Sequence, residues 1–317
     1  MPETSIIIVT YNGLHDTTAP CLDSIFKNSG GSDYEVIVVD NNSSDGTQDY
    51  LAELAGRELR LRFIANKTNR GFAGGNNDGI RASSGNFLVL LNSDCLVTPG
   101  WIEGLTGPLT GEPRIGLAGP VSNSVGNEQK IFTTGTTVEE IVKEGMAWVE
   151  NGRGSLFDTD LLGFFCVAMR RDVLEKVGML DENFGLGFYE DDDYCIRVKR
   201  AGYRLVCLED VFVYHRGGGS FSKAGHDTRK LMKENRARLE RKHGIRLPWD
   251  HPRLRQLRVI EGYCGTGAGS GAGTQYRISN RLTVVASQMP RGLFKRIAFH
   301  RRLRACKRRL RRAGFGV

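Results

Sequence analysis

The stretch FLVLLNSDCLVTPGW, Phe87 to Trp101, decides how the first half of the chain is read. Five apolar residues run unbroken from Phe87 to Leu91, and Asn92-Ser93-Asp94 then interrupts them. Such a run, bounded by polar turn residues, reads as a strand buried on both faces, the kind found in parallel sheets. Working outward, the signal repeats. SIIIVTYN (5–12) and YEVIVVDNNS (34–43) are buried strands ending in polar residues, and LRLRFIAN (59–66) is another. Between them lie helix-like segments, DTTAPCLDSIFKNS (16–29), SSDGTQDYLAELA (43–55) and the Gly-rich GFAGGNNDGIRAS (71–83). Strands alternating with helices predict an α/β fold with a mostly parallel central sheet and helices on both faces. In such sheets ligands sit at the carboxyl ends of the strands. Three polar clusters fall there: Thr10-Tyr11-Asn12, Asp40-Asn41-Asn42 and Asn92-Ser93-Asp94.

Composition narrows the class. The chain has 317 residues, 40% of them hydrophobic, enough for a sizeable core. Its seven cysteines form no CxxC pair and several lie in apolar or helical runs, which predicts reduced thiols in a cytoplasmic protein. The N-terminus lacks a basic region before its short apolar run, so no signal peptide is expected. From Arg291 to Val317 there are eleven Lys/Arg and no Asp/Glu, leaving 33 basic against 36 acidic residues elsewhere, a net of −3. A slightly acidic body argues against specific nucleic-acid binding. Residues 1–252 are expected to form the catalytic domain. Residues 253–290, with the low-complexity YCGTGAGSGAGTQ (263–275), read as a flexible Gly-rich linker, and 291–317 as a basic amphipathic tail.

Each chemical candidate has a bland alternative. Asp94 can ligate a hard cation such as Mg²⁺ or Mn²⁺, yet alone it reads better as a turn residue. Asp40 can accept hydrogen bonds from a base or ribose, but DNNSSDGT (40–47) is also rich in turn and cap formers. NRGFAGGNNDGI (69–80) lets backbone approach an anion at a helix start, although its spacing is neither GxGxxG nor a P-loop. Glu190, Asp191, Asp192 and Asp193 open a helix, where carboxylates are welcome; four adjacent acids also repel, and one facing a cleft can act as a general base. His215 can bind metal or phosphate; a lone His is more often structural.

Together these segments are more specific than any one. In order, SIIIVTYN, VIVVDNNSSDGT, NRGFAGGNNDGI, FLVLLNSD, LLGFFCVAMRRDVLEKVGMLDENFG, YEDDDYCIRVKRAGYRL and VYHRGGGS resemble the family 2 inverting glycosyltransferases over roughly Thr4 to Ser222. Among these the chain is most similar to rhamnosyltransferases and other polysaccharide-assembly enzymes. The resemblance implies the nucleotide-diphospho-sugar (GT-A) fold and a UDP- or dTDP-linked sugar donor. By that resemblance Thr10, Tyr11, Asn12, Asp40 and Asn41 line the nucleoside pocket, and Asn69, Gly71, Gly74 and Asn76 continue the donor site. Asn92-Ser93-Asp94 matches the DxD-type motif with Asn at its first position, so Asp94 is the implied ligand of a Mg²⁺ or Mn²⁺ ion. Glu190-Asp191 matches the ED motif, with Asp191 as base and Asp193 as the alternative register. His215 is implied near the diphosphate and metal. Val121–Gly154 and the turn Gly185-Leu186-Gly187 are expected at the acceptor, a saccharide or a lipid-linked sugar.

In the tail, Phe299, Leu303, Cys306 and Leu310 share one helical face amid Arg and Lys. Basic amphipathic helices bind anionic membrane surfaces, which predicts a peripheral position on the cytoplasmic face of a membrane. Two other readings compete. A nucleotidyltransferase needs a basic phosphate-gripping loop after the first strand, and TYNGLHDTTAP (10–20) offers none. An inactive sugar-nucleotide-binding scaffold fits less well with Asp94 and Asp191 both present.

Overall fold

The computed structural model describes residues 2–217, 228–247, 252–264, 271–287 and 292–317. Of the glycine run after Arg216, only Gly217 lies within these residues.

The strand that opened the reading is β4 (Phe87–Asn92), and its apolar residues are all buried. It pairs in parallel with β1 (Thr4–Thr10), which pairs in parallel with β2 (Tyr34–Asp40), and β2 in turn with β3 (Leu61–Ala65). On the other side β4 meets β8 (Cys166–Arg170) antiparallel. The sheet continues through β6 (Ile115–Val121) and β9 (Arg204–His215), which are parallel to each other, to the short β5 (Cys95–Val97). A further short strand, β7 (Leu156–Asp158), pairs antiparallel with β9.

Alternation along the strands supplies two cores. Ile6, Ile8, Val89 and Leu91 face one cluster with Leu22, Ile25 and Trp101. Ile7, Leu88 and Leu90 face the other with Ile80, Trp148 and Tyr194. Burial on both faces is why these strands read as unbroken apolar runs. The covering helices are α1 (Ala19–Asn28), α2 (Thr47–Arg57), α3 (Gly71–Ala82), α4 (Trp101–Gly111), α5 (Val138–Asn151), α6 (Arg171–Val177) and α7 (Glu190–Arg200). In α3, a Cβ on Gly79 would fall 2.4 Å from Ile7 Cγ2. Its glycines therefore serve close helix–sheet packing.

The C-terminal third differs from expectation. After α8 (Thr228–His243), the segment read as a flexible linker contains α9 (Pro252–Gly262) and α10 (Ala272–Ala286). The tail is helix α11 (Leu293–Arg312). Leu257, Ile260, Ile278, Val285, Phe299, Cys306 and Leu310 build a third core among α9, α10 and α11. The tail's apolar stripe is therefore real but packs inward. Over its described residues the linker expectation gives way because α10 buries arginines: Arg281 is 0% and Arg277 5% exposed, both paired to Glu209 of β9, while residues 265–270 of the Gly-rich run lie outside the described residues. A polar residue buried by pairing leaves no trace in hydrophobic periodicity.

Candidate functional site

Register brings the polar clusters to one sheet edge. Thr10 lies opposite Asp40 across β1 and β2, Val9 opposite Asn92, and Cys95 opposite His215. The edge carries the carboxyl ends of β1, β2, β4 and β9, where ligands of such sheets bind.

At one end, Asp40 is fully buried. Its Oδ2 accepts from the Ser43 amide at 3.0 Å and Gln48 Nε2 at 2.7 Å, while its Oδ1 has no partner. A buried carboxylate oxygen without a donor is costly, and a ligand N–H or hydroxyl is the natural remedy. Asn41 is spoken for: its amide donates to the Gly71 carbonyl at 3.0 Å and its Oδ1 accepts from Asn66. Thr10 is buried against Thr18, their hydroxyl oxygens 2.6 Å apart. Asn12, at φ 57°, receives the Ser44 amide on its Oδ1, and Tyr11 is half-buried. Asn69 Oδ1 accepts from the Gly71 amide at 2.9 Å, and Asn76 donates back to the Phe72 carbonyl. Gly71 has φ +70°, and a Cβ there would fall 2.2 Å from the Gly185 carbonyl oxygen. A Cβ added to Gly74 would fall 2.9 Å from Arg70 Cβ. Many of the expected donor residues thus build the loop and leave Asp40 with the open valence.

In the middle, Ser93 and Asp94 are buried and Asn92 half-buried. Asp94 Oδ1 lies 3.3 Å from His215 Nε2. The other imidazole nitrogen, Nδ1, is 2.7 Å from the Ser124 carbonyl, and the ring stacks on Phe165 with centroids 5.2 Å apart. Burial works to lower the His215 pKa, but the hydrogen bond and charge of Asp94 outweigh it and hold the imidazole above its ordinary value. Asp94, Cys95 and His215 cluster closely enough to share an ion. Burial and the Asp94 charge push the Cys95 thiol far up, and it donates to the Phe165 carbonyl at 3.4 Å. A thiol held protonated is not a ligand. Asp94 oxygen and His215 Nε2 do fit a divalent cation: Nδ1–H can donate to the Ser124 carbonyl, and an ion would take the place of the Nε2 proton that Asp94 accepts.

At the far end, α7 opens after two strained residues, Phe188 at φ 72° and Tyr189 at φ 75°. Non-glycine residues rarely hold this conformation unless the surroundings enforce it. Here the enforcer is Asn235 of α8, 2% exposed. Its amide donates to the carbonyls of Phe184 at 2.7 Å, Gly187 at 2.9 Å and Phe188 at 3.2 Å. The Leu186 carbonyl accepts from the Phe72 amide at 3.2 Å, so the α3 loop touches the α7 loop directly.

The acids that follow have distinct environments. Glu190 is buried with Oε2 unpartnered, and burial followed by the Asp191 charge pushes its pKa well up. Asp191 is half-buried and raised by burial, against backbone hydrogen bonds including that of Phe164. Asp193 is fully buried and engaged by Arg197 at 2.8 Å, Lys242 at 2.6 Å and His243 at 2.8 Å. Three partners occupy it as the tie between α7 and α8. Phe164-Phe165 lies between the two centres: Phe165 packs on His215, and the Phe164 backbone reaches Asp191.

Sequence reasoning missed Asn235, which sits in a highly charged helix with nothing to mark it. It also missed Asn123, whose side chain pairs both His215 backbone groups at 2.9 and 3.1 Å. A separate cleft of about 860 Å³ lies between β7 and α9, lined by Phe157, Asp160, Arg204, Arg255 and Tyr263. From the stretch expected at the acceptor it takes Glu128 and Gly154, and it holds none of the residues expected to bind the donor or metal.

Comparison with known proteins bears on the family and the fold. The chain is similar to the glycosyltransferase AglE of Haloferax volcanii, 28% identical over 68% of this chain and 67% of that protein. Over a shorter stretch it is 32% identical to UDP-Glc:alpha-D-GlcNAc-diphosphoundecaprenol beta-1,3-glucosyltransferase WfgD of Escherichia coli, covering 28% of this chain and 34% of that one. The match spans only 26% of another curated relative. In fold it resembles the Pyrobaculum calidifontis mannosyltransferase PcManGT in complex with GDP-Man and Mn²⁺, with a TM-score of 0.57 at 19% identity over 96% of this chain and 80% of that one. The architecture is therefore GT-A-like, as expected. Residues 5–178, more than half the chain and the span that carries Asp40, Gly71 and Asp94, match the model of glycosyl transferase family 2, and the chain belongs to that family.

Proposed function

We propose that the chain is an inverting glycosyltransferase that moves a sugar from a nucleotide-diphospho-sugar to a hydroxyl of a saccharide or lipid-linked acceptor, in polysaccharide assembly at the cytoplasmic face of a membrane. The observation that carries this reading is the Asp94–His215 pair, 3.3 Å apart at the carboxyl edge of the sheet. WfgD is named for a diphosphoundecaprenol-linked sugar, which supports a lipid-linked acceptor here. The donor's base or ribose takes the open valence of Asp40, and Asp94 with His215 holds a divalent cation, Mn²⁺ or Mg²⁺. When bound, such an ion neutralises charge on the departing diphosphate. Asp191 takes the proton of the acceptor hydroxyl. The acceptor oxygen bonds to the anomeric carbon as the carbon–oxygen bond to the nucleoside diphosphate breaks on the opposite face. One displacement inverts the configuration.

The test is thermal unfolding with UDP, dTDP and GDP, each with and without Mn²⁺, on wild type and Asp94→Ala. A ligand bound only by the folded state raises stability by about 2.7 kcal/mol at a concentration near 100 Kd. One nucleotide is expected to stabilise wild type only with Mn²⁺, and Asp94→Ala to lose the effect. No stabilisation of wild type by any nucleotide sinks the donor site. With the base identified, turnover of its sugars, dTDP-rhamnose included, decides the sugar.

Asn235→Ala gives a second prediction. Removing the clamp on Phe184, Gly187 and Phe188 lets the start of α7 shift without touching Asp94. Turnover is expected to fall by up to about 10²-fold, the scale of a small misplacement of reacting groups. Nucleotide–Mn²⁺ stabilisation should stay near wild type. Unchanged turnover would show that the loop holds itself.

A further inference from the structure

The proposed reaction leaves α11 without a role. The helix buries Phe299, Cys306 and Leu310 in the third core and presents its opposite side to solvent. On that opposite side Leu293, Ile297, Arg301, Arg304, Arg308 and Arg312 recur at spacings of three and four, so they form one stripe. Leu293 is 70% and Ile297 42% exposed, and the four arginines are exposed as well. None of the four arginines has an ion pair among the described residues. The cation of α11 that does is Arg309, 3.3 Å from Glu261.

We propose that this outward face of α11 docks the enzyme onto an anionic lipid bilayer. Arg301, Arg304, Arg308 and Arg312 meet the headgroups, and Leu293 and Ile297 enter the acyl boundary. Two features favour a bilayer over a soluble polyanion. Exposed aliphatic side chains at one end of the cationic stripe have a place to go only where an apolar phase lies beneath the charge. The helix's 20 residues also rise about 30 Å at 1.5 Å per residue, so the stripe is long enough to lie along a flat surface. The apolar residues Phe299, Cys306 and Leu310 pack α11 against α9 and α10. The bilayer contact is therefore mainly electrostatic and reversible. The inference deepens the lipid-linked acceptor reading, but its test does not depend on transfer.

The experiment is flotation of the full-length protein with vesicles of phosphatidylcholine alone and of phosphatidylcholine mixed with phosphatidylglycerol, at low and physiological salt. Wild type is expected to float with the mixed vesicles only, less so as salt rises. The triple variant Arg301→Gln, Arg304→Gln, Arg308→Gln is expected to partition about 100-fold less, from roughly fivefold per cation. Leu293→Ser with Ile297→Ser should weaken binding while keeping its salt dependence. These residues are exposed, so urea unfolding of each variant should match wild type and serves as the folding control. Wild type left unbound by anionic vesicles overturns the proposal, as does a triple variant that floats like wild type. Binding to heparin without flotation overturns it in favour of a polyanion site. If flotation succeeds while no nucleotide stabilises the protein, the docking face stands and the donor reading falls.

Discussion

Asp191→Asn is expected to lower transfer roughly 10²- to 10⁴-fold, the range a positioned general base contributes. The substitution keeps size and hydrogen-bonding capacity but cannot take a proton. Nucleotide–Mn²⁺ stabilisation should persist, because Asp191 lies in the α7 segment, apart from Asp94. That separation distinguishes loss of chemistry from loss of the donor site. The neighbours give the prediction a pH signature. Glu190 and Asp191 cannot both ionise cheaply side by side, and burial with the Asp191 charge pushes Glu190 far up, so Glu190 holds its proton while Asp191 gives its own up first. Burial raises Asp191 as well. A base must be ionised to act, so the wild-type rate should fall as pH drops through that raised value, above the ordinary Asp range. A raised carboxylate pKa also makes Asp191 a stronger base near neutrality. Asp193→Asn should behave differently. Its partners Arg197, Lys242 and His243 lose a buried counter-charge, so stability falls before chemistry does. Asp191→Asn retaining wild-type transfer would move the base elsewhere.

What the sequence revealed and concealed follows from range. Strands buried on both faces announce themselves in runs such as Phe87–Leu91, and the polar residues ending them mark the ligand edge. The fold and the place of Asp94 at the sheet edge were therefore legible. The motif segments also placed His215 and the acidic start of α7. The division of labour among the acids was not legible, because the sequence shows four carboxylates in a row and no partners. Structure separates them: Asp193 meets Arg197 one turn away and Lys242 and His243 some fifty residues on. Likewise the side chains of Thr10, Asn41 and Asn76, expected at the donor, are taken up by Thr18, by Asn66 and the Gly71 carbonyl, and by the Phe72 carbonyl. Asn235 could not be found by any local pattern, since its targets lie about fifty residues upstream. The linker expectation gives way over its described residues for the related reason that Arg277 and Arg281 find their acid on β9.

That buried pairing carries the largest stability prediction. Arg281 is fully buried and donates from Nη2 to Glu209 Oε1 at 2.7 Å, and from Nη1 to the Glu128 carbonyl at 2.8 Å and Gln256 Oε1 at 2.6 Å. Its guanidinium lies against the Trp148 and Phe157 rings at 5.1 and 5.0 Å. Arg277 takes the other Glu209 oxygen at 2.6 Å, and the Tyr263 hydroxyl donates to Glu209 as well. Glu209 is thus the point where β9 meets α9 and α10. Glu209→Ala leaves two arginines in a buried site without their acid, and breaking such a pair typically costs about 3–5 kcal/mol. Arg281→Ala should cost a similar amount, because Glu209 keeps Arg277 but the space between Trp148 and Phe157 empties. Arg281→Lys should recover little of it. An ammonium cannot span Glu209, Gln256 and the Glu128 carbonyl with one planar fork. Urea unfolding measures the loss, and limited proteolysis shows whether α9–α11 come off first. If they do, the rest of the chain should still bind nucleotide with Mn²⁺, since among the described residues Asp40, Asp94 and His215 share no hydrogen bond or ion pair with this network. Loss of under about 1 kcal/mol in Glu209→Ala would mean that the apolar third core, not the ion cluster, holds the C-terminal helices in place.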